Sequence, residues 1–205
     1  MKMLDLFSGL GGASKAEKER GWVVDTLDID PKFHSTFCMS ILDVTPEMIK
    51  GYDLVWASPP CECFSVMRIG KNWTPDNQPR NEDAKKALEI ALHTFEILKG
   101  TNHIIENPRA KLRKLAPRPP TVTIWQCQYG ERRAKPTDLW TGGVCDKIIW
   151  RPECHNGAPD HDRAPRGCNV GGTMDKNTTP EERAYISEYM MRMMARGIQH
   201  MGGGQ

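Results

Sequence analysis

Short apolar segments with the length of strands recur along the first 140 residues, and this recurrence narrows the choice of fold more than any other property. The strand-like segments are 1–7, 22–29, 52–58, 103–107 and 121–128. Residues 81–99 instead have helical periodicity, with Asn81 as N-cap and Gly100 at the end. The apolar face of this helix is predicted to comprise Ala84, Leu88, Ala91, Leu92, Phe95 and Leu98. Strands that alternate with helices predict the α/β class, with a parallel sheet covered by helices.

Composition divides the chain into three parts. Residues 1–140 carry all of the predicted strands, and residues 141–180 form a loop-rich region dominated in its later part by Pro, Gly, Asp, Asn and Arg. Residues 181–205 contain a predicted closing helix whose methionines are expected to fill the core.

The overall charge does not indicate a partner. The 28 basic and 26 acidic residues give a formal net charge of +2. Residues 109–118 and 132–135 are locally basic and could contact phosphates, although composition alone favours a solvated surface.

The chain has seven cysteines and no apolar run of membrane-spanning length, and its first residues are not expected to form a signal peptide. These features predict a reducing, cytoplasmic location and no membrane partner. In the loop-rich region Cys145, Cys154, His155, His161 and Cys168 follow one another with a spacing that is not a standard zinc pattern. Two interpretations stay open: a structural zinc ion on Cys145, Cys154, His161 and Cys168, or incidental cysteines and polar loop histidines.

A glycine-rich turn, Asp5–Gly12 (DLFSGLGG), lies between the first strand and a short helical stretch. Glycines let the backbone approach a ligand, although many such turns are merely tight connections. Asp28 and Asp30 end the next strand, where a carboxylate can hold ribose hydroxyls, and Asp43 could contact an adenine edge. The turn lacks the full dinucleotide signature and a P-loop lysine, which favours a nucleoside cofactor without a long phosphate chain.

Cys61 follows an apolar strand and two prolines, which would present its thiol on a stiff backbone. Cationic neighbours or helix amides would lower the pKa of such a nucleophile, whereas a buried structural cysteine is the alternative. Cys63 is a rival, because Cys-Glu-Cys could serve redox or metal chemistry. Glu106 ends the strand after the long helix and would face the same crevice as Cys61. A nucleophile paired with an acid that can hydrogen-bond a ring nitrogen suits attack on a pyrimidine.

These motifs, in this order, resemble those of the cytosine-C5 DNA methyltransferase family. DLFSGLGG resembles its cofactor-binding motif, SPPCECFS its Pro-Cys catalytic motif and ENPRAKLRK its Glu-Asn-Val motif. QYGERRAKPTDLW resembles the segment that carries two arginines, which correspond here to Arg133 and Lys135. The resemblance covers residues 3–140 and departs from the family pattern at Glu62, Pro108 and Lys135, where the family has Gln, Val and Arg.

The resemblance implies a Rossmann-like, S-adenosylmethionine-dependent methyltransferase fold with a mostly parallel sheet. Residues 1–140 would form the catalytic domain, residues 141–180 a reduced recognition region or metal staple, and residues 181–205 a helix packed on the catalytic domain. The family's large target-recognition domain has no counterpart in this sequence. In this respect the chain resembles the compact members encoded by viruses, and the resemblance implies a short target sequence.

The resemblance also implies the cofactor, the partner and the site residues. S-adenosylmethionine would be bound by Asp5, Phe7, Gly9, Gly11, Gly12, Asp28, Ile29, Asp43 and Pro59. Double-stranded DNA would be contacted by Ser65, Arg68, Lys71 and Arg109. Cys61 would add to C6 of a cytosine rotated out of the duplex, and Glu106 would hydrogen-bond its N3 and N4 edge. Arg133 and Lys135 would lie near the base and its phosphate.

Two other functions stay open. RNA cytosine-C5 methylation shares the same motifs, and a catalytically inactive relic that binds nucleic acid would explain the departures from the pattern. Amino-group methylation is disfavoured, because Cys61 stands where such enzymes place an aromatic residue after two prolines. A virus-encoded protein would act in the host cytoplasm. The sequence predicts neither the oligomeric state nor the target sequence.

Overall fold

The computed structural model describes residues 1–131, 133–155, 158–159 and 161 of the chain, and they contain one seven-stranded sheet. Its strands are β1 (Lys2–Leu6), β2 (Val23–Asp28), β3 (Phe37–Cys38), β4 (Leu54–Ala57), β5 (His103–Pro108), β6 (Val122–Trp125) and β7 (Pro136–Gly142). Their order across the sheet is β3-β2-β1-β4-β5-β7-β6. Neighbours from β3 to β5 are parallel, whereas β7 is antiparallel to both β5 and β6. The predicted α/β, Rossmann-like class with a mostly parallel sheet is confirmed.

The helices of the described residues are α1 (Lys15–Glu19), α2 (Pro46–Ile49), α3 (Ile69–Asn72) and α4 (Glu82–Ile97). Only α4 is long, and its predicted N-cap is confirmed, because the Ala84 amide donates to the Asn81 side-chain oxygen at 2.8 Å. Gly100 follows α4 with φ +76°, a left-handed conformation that suits glycine after a helix end. None of the helices in the described part of the chain is long and apolar enough to cross a bilayer.

The sheet separates two apolar layers, because successive side chains of a strand point to opposite faces. Leu4, Leu6 and Val55 pack against α4, whereas Met3 and Trp56 pack on the other face with α1. The buried face of α4 differs from the prediction. Its Leu92 is exposed, and its buried residues include Ala87 and Thr94.

Strand β7 is missing from the sequence prediction and is the reason why the sheet is not fully parallel. The strand starts with a proline and contains Asp138, both residue types that are depleted in strands, together with Thr137 and Thr141. All three polar residues are buried and hydrogen-bonded. Asp138 accepts two hydrogen bonds from the Arg113 guanidinium, at 2.6 and 2.9 Å. Strand β7 also runs across the domain boundary placed after residue 140, and that division stays a prediction.

Strand order reverses direction at β1, which has β2 on one side and β4 on the other. In doubly wound sheets ligands bind outside the carboxyl ends of the strands at such a reversal. The segments that follow β1, β2 and β4 therefore form the first place to look for a functional site. The predicted closing helix at 180–197 lies outside the described residues.

Candidate active site

The glycine turn after β1 is held against the end of β2 by main-chain contacts. The Ser8 amide donates to the Leu27 carbonyl at 3.0 Å, and the Gly9 amide donates to Oδ2 of Asp28 at 2.9 Å. Gly9 and Gly11 have φ values of +47° and +75°, which residues other than glycine rarely adopt. A Cβ atom added at Gly9 would meet no atom of the described residues within 4 Å, so they leave the space above this turn open.

Asp28 already has two protein partners. Its Oδ2 accepts from Gly9, and its Oδ1 accepts from the Asp30 amide at 3.0 Å. Each carboxylate oxygen offers a further lone pair, so Asp28 retains the capacity to accept from hydroxyl groups of a ligand. Its role is therefore double: it fixes the turn and remains partly exposed at the crevice.

Asp5 lies inside the fold, not at the surface of the crevice. The carboxyl group is 2% exposed and its Oδ2 has no hydrogen-bond partner in the structure. Burial raises the pKa of Asp5 to about 7, although a hydrogen bond with Ser14 and the charge of Lys18 act in the opposite direction. Contact between Asp5 and a cofactor stays a prediction, and the structure shows it supporting the segment that leads into α1.

The other predicted cofactor residues all follow strands at the carboxyl edge of the sheet. Phe7, Gly11 and Gly12 belong to the turn after β1, and Ile29, which directly follows β2, is 66% exposed. Asp43 is exposed in the 3-10 turn Ile41–Asp43, which follows β3. Pro59 is buried after β4. The structure thus brings these residues to one edge.

The loop that carries Cys61 is fixed on both sides. Before it, the Asn107 side-chain amide donates to the Pro59 carbonyl at 2.9 Å. After it, the Phe64 and Ser65 amides both donate to the Cys61 carbonyl at 3.0 Å. Phe64 is buried, which ties this turn to the core. The expectation of a stiffly presented thiol agrees with this arrangement.

Cys63 has a structural role in the same loop. Its carbonyl oxygen accepts hydrogen bonds from the indole N–H of Trp73 at 2.7 Å and from the side-chain amide of Asn72 at 3.3 Å. Its side chain packs against the apolar layer that faces α4. Trp73 in turn stacks on Phe64 with ring centroids 5.6 Å apart. These contacts favour Cys61 over Cys63 as the reactive thiol.

Glu106 lies on β5, where it is buried and receives a hydrogen bond from the Ser58 hydroxyl. The Trp56 indole N–H donates to the same hydroxyl oxygen at 2.7 Å. Burial raises the pKa of Glu106, and it outweighs the opposing effects of Lys135 and Ser58. A carboxyl group of this kind keeps its proton at higher pH than an exposed glutamate does.

Cys61, Glu106 and Lys135 form one electrostatic group. Burial, and then the charge of Glu106, raises the pKa of Cys61 to about 11, while Lys135 acts to lower it. Burial also lowers the pKa of Lys135, against the attraction of Glu106. Lys135 acts to lower the pKa of the Cys61 thiol, as expected of a neighbouring cation, but burial and the charge of Glu106 outweigh it.

Of the two predicted cations, Lys135 is the one whose charge acts on Cys61 and Glu106, whereas the charge of Arg133 acts on Lys135. It directly precedes β7, and because β7 is antiparallel to β5, its first residue lies at the edge where the parallel strands end. Lys135 has φ +33°. Arg133 instead forms a two-fold hydrogen bond with Glu131, at 3.2 and 3.1 Å. Glu131, Ser58 and Asn107 were missed by sequence reasoning, since a pattern does not reveal which polar side chains meet.

The predicted nucleic-acid residues lie in the segments that follow Cys61 and β5. Arg68, Lys71 and Arg109 are exposed, whereas Ser65 is half-buried and donates to the Glu62 carbonyl at 3.1 Å. Their contact with nucleic acid stays a prediction.

Part of the basic run 109–118 serves the fold. The Lys111 ammonium donates to the Asn77 side chain at 2.7 Å, and its residue is buried. Arg113 is paired with Asp138. The Arg118 guanidinium donates to the Thr141 carbonyl. Composition could not distinguish these structural cations from surface ones.

The predicted metal ligands do not all come together. Cys145 is fully buried in the apolar layer that also contains Met3, and it does not belong to the cluster that contains Cys154 and His161. Cys154 Sγ lies 3.2 Å from His161 Nε2, and the third member of this cluster is Cys127. His155 is exposed and does not belong to it. Cys168 lies outside the described residues.

Comparisons with known proteins agree with the motifs. The chain is 31% identical over 171 residues to a probable DNA (cytosine-5)-methyltransferase of Frog virus 3 (isolate Goorha), covering 76% of this chain and 78% of the relative. It is 35% identical over 94 residues to a tRNA (cytosine(38)-C(5))-methyltransferase of Spodoptera frugiperda, covering 38% of this chain and 27% of that protein. No protein-family model matches the chain.

Among solved structures, the S. pombe Dnmt2 methyltransferase is similar at 16% identity with a TM-score of 0.42. The alignment covers 68% of this chain and 48% of that structure, so the chain spans about half its length.

Proposed function

Because the chain belongs to the cytosine-C5 methyltransferase family, we propose that it transfers a methyl group from S-adenosylmethionine to C5 of cytosine in double-stranded DNA. The observation that carries the proposal is the meeting of Cys61, Glu106 and Lys135 at the carboxyl edge of the sheet, beside the glycine turn. This group supplies a nucleophile, an acid and a cation to one crevice.

The residues at the turn fit an S-adenosylmethionine molecule. The open space above Gly9 admits a ligand close to the backbone, and Asp28 can accept from ribose hydroxyls. Leu10 and Ile29 are apolar yet more than half exposed, which suits contact with an adenine ring. Asp43 is exposed after β3 and could accept a hydrogen bond from the adenine amino group. When bound, the cofactor supplies an electrophilic methyl group on a sulfonium sulfur.

Attack by Cys61 begins the proposed reaction. The target cytosine leaves the base stack and enters the crevice, at a cost of a few kcal/mol. A bond forms between Cys61 Sγ and C6, and the electron pair of the C5=C6 bond moves into the ring. The thiol proton passes to water, and Glu106 gives its own proton to N3. The raised pKa of Glu106 favours this role, since the carboxyl group takes up a proton more readily than an exposed glutamate does.

The second half of the reaction restores the aromatic ring. After C5 has been methylated, water removes the C5 proton, the C5=C6 bond forms again and the bond to Cys61 breaks. N3 returns its proton to Glu106. The Lys135 ammonium stabilises negative charge on Cys61 as the thiol ionises and again as it leaves.

DNA is proposed as the substrate because the relative that matches most of the chain is named as a probable DNA methyltransferase. The similarity to a tRNA methyltransferase covers a smaller part and supports RNA as the second candidate. The cytoplasm, or the host cytoplasm for a virus-encoded protein, is proposed as the location.

The Cys61→Ala variant tests the proposal, with Cys63→Ala as the matched control from the same loop. We expect wild type and Cys63→Ala to transfer labelled methyl groups to DNA, whereas Cys61→Ala transfers none and still binds S-adenosylmethionine by calorimetry. Bisulfite sequencing of DNA from expressing cells would locate the product. Transfer by Cys61→Ala, or labelling of tRNA but not of DNA, would refute the assignment of the nucleophile or of the substrate, respectively.

A further inference from the structure

A cluster of two cysteines and one histidine is separate from the group of Cys61, Glu106 and Lys135. Cys127 belongs to the 3-10 turn Gln126–Tyr129 after β6, and Cys154 and His161 belong to the segment that follows β7. One ligand atom from each of the three lies within 4.8 Å of the others. Two thiols and one imidazole, all groups that can bind a transition metal, thus converge from two separate parts of the chain.

The segment that carries Cys154 and His161 is docked on the turn by further contacts. The Arg151 amide donates to the Tyr129 hydroxyl at 2.8 Å, and the Arg151 guanidinium donates to the Gln128 carbonyl. The guanidinium carbon also lies 5.8 Å from the Tyr129 ring centroid. These contacts place the two cysteines opposite each other independently of any direct interaction between them.

We propose that Cys127, Cys154 and His161 bind one zinc ion that joins the segment after β7 to the catalytic domain. Thiolate and imidazole groups favour zinc over hard cations such as magnesium and calcium. Tetrahedral zinc with bonds of about 2.0 to 2.3 Å separates its ligands by about 3.3 to 3.8 Å, so small side-chain movements suffice. Binding releases the two thiol protons, and water occupies the fourth position.

The described residues explain why an ion would be useful here. From Arg151 to His161 they include no helix or strand, and most of them are exposed. Such a segment has little apolar surface to bury, and metal coordination can stabilise it instead.

The site also lies at the base of the loop that presents Lys135. Gln126, the neighbour of Cys127, donates its side-chain amide to the Thr137 hydroxyl at 3.0 Å, and its main-chain amide donates to the Lys135 carbonyl at 3.4 Å. Zinc would therefore hold the start of this loop in place without touching the crevice.

Zinc content is the direct test. Purified under reducing conditions with one equivalent of zinc added, wild type should retain about one ion per chain after gel filtration. Cys127→Ser and Cys154→Ser should each lower this to roughly a tenth or less. Cys38→Ser is the matched control, because Cys38 is exposed on β3 and should leave the zinc content unchanged. A wild type without zinc, or a Cys127→Ser variant with the same content as wild type, would overturn the proposal.

A measurement on the wild-type chain avoids variants that fail to fold. Zinc should protect Cys127 and Cys154 from alkylation, as mapped by mass spectrometry, and leave the alkylation of Cys38 unchanged. Cobalt in place of zinc should give the absorption bands of a tetrahedral thiolate complex. Equal alkylation of Cys127 with and without zinc, or a Cys127–Cys154 disulfide that persists under reducing conditions, would refute the site. None of these readouts depends on methyl transfer.

Discussion

At the scale of single residues, the charges around Cys61 determine when its thiol can react. A buried thiol beside a carboxylate stays protonated, and its pKa of about 11 reflects both causes. Lys135 opposes them but is itself buried and carries a lowered pKa. The Cys61 thiol is therefore a weak nucleophile until the negative charge of Glu106 is lost.

The Glu106→Gln variant should change two properties of the protein in opposite directions. Loss of the negative charge should lower the pKa of Cys61 and speed its alkylation at pH 8, by about tenfold for each unit of change. Loss of the acid should slow methyl transfer by about 10² to 10⁴-fold. Peptide mapping after iodoacetamide treatment and a labelled-methyl assay measure the two effects.

Lys135→Met serves as the counterpart, since removal of the cation should raise the pKa of Cys61 and slow its alkylation. Cys38 reports any general change of reactivity, because it is exposed and far from the group in sequence. If Glu106→Gln slowed alkylation of Cys61, the charge of Glu106 would not govern the thiol.

The structure brings together Cys61 and Glu106, which the sequence places in one site, and their roles as nucleophile and acid stay predictions. Cys61 and Glu106 were identifiable because each follows or ends an apolar strand at the edge where ligands bind. The different partners of Arg133 and Lys135 could not be predicted from the sequence. They depend on Glu131, whose position relative to Arg133 is set by the turn at Gly130, with φ +92°.

At the scale of elements, the antiparallel pair of β5 and β7 is what the sequence prediction lacked. Buried parallel strands are continuous apolar runs and are easily found, whereas β7 is half polar. Its polar groups find partners only after folding, as Asp138 does with Arg113. The exposed Leu92 of α4 has a similar explanation. Helical periodicity predicts which residues share the apolar face, but it does not predict how much of that face the sheet covers.

Close packing between β5 and β7 predicts a specific sensitivity at Gly142. A Cβ atom there would overlap the buried ring of His103, its partner in the register. Gly142→Ala should therefore lower the free energy of unfolding by about 1 to 3 kcal/mol. Chemical denaturation followed by circular dichroism measures the change.

Gly70→Ala is the matched control, because a Cβ atom at Gly70 meets nothing within 4 Å. It should leave stability unchanged or raise it by about 0.4 to 1 kcal/mol. In a His103→Ala background the cost of Gly142→Ala should fall below about 0.5 kcal/mol. The same cost in both backgrounds would show that the His103 ring is not the obstacle.

At the scale of the whole molecule, a formal net charge of +2 means that nucleic acid would be held by few local contacts. Arg113 and Lys111 are engaged within the fold, whereas Arg68, Lys71 and Arg109 are exposed in the segments that follow Cys61 and β5. From this distribution of charge we expect nucleic acid to bind weakly and through a small surface. This expectation agrees with the short target sequence that the sequence analysis predicts.

The salt dependence of DNA binding measures these contacts. Arg68→Ala and Lys71→Ala should each reduce the slope of log K against log salt concentration by about 0.9. Lys99→Ala is the control, because Lys99 lies just after α4, is exposed and pairs with Glu96. Fluorescence anisotropy at several salt concentrations gives the slopes. An unchanged slope for Arg68→Ala together with a reduced slope for Lys99→Ala would place the nucleic acid elsewhere.

The raised pKa of Cys61 has a further consequence for the resting molecule. Peroxide and other cellular oxidants attack thiolates far faster than thiols. A buried sulfur that stays protonated until the target cytosine enters the crevice is thus protected from conversion to sulfenic acid. The protein can persist for long periods with its reactive atom intact and become vulnerable only while it is working.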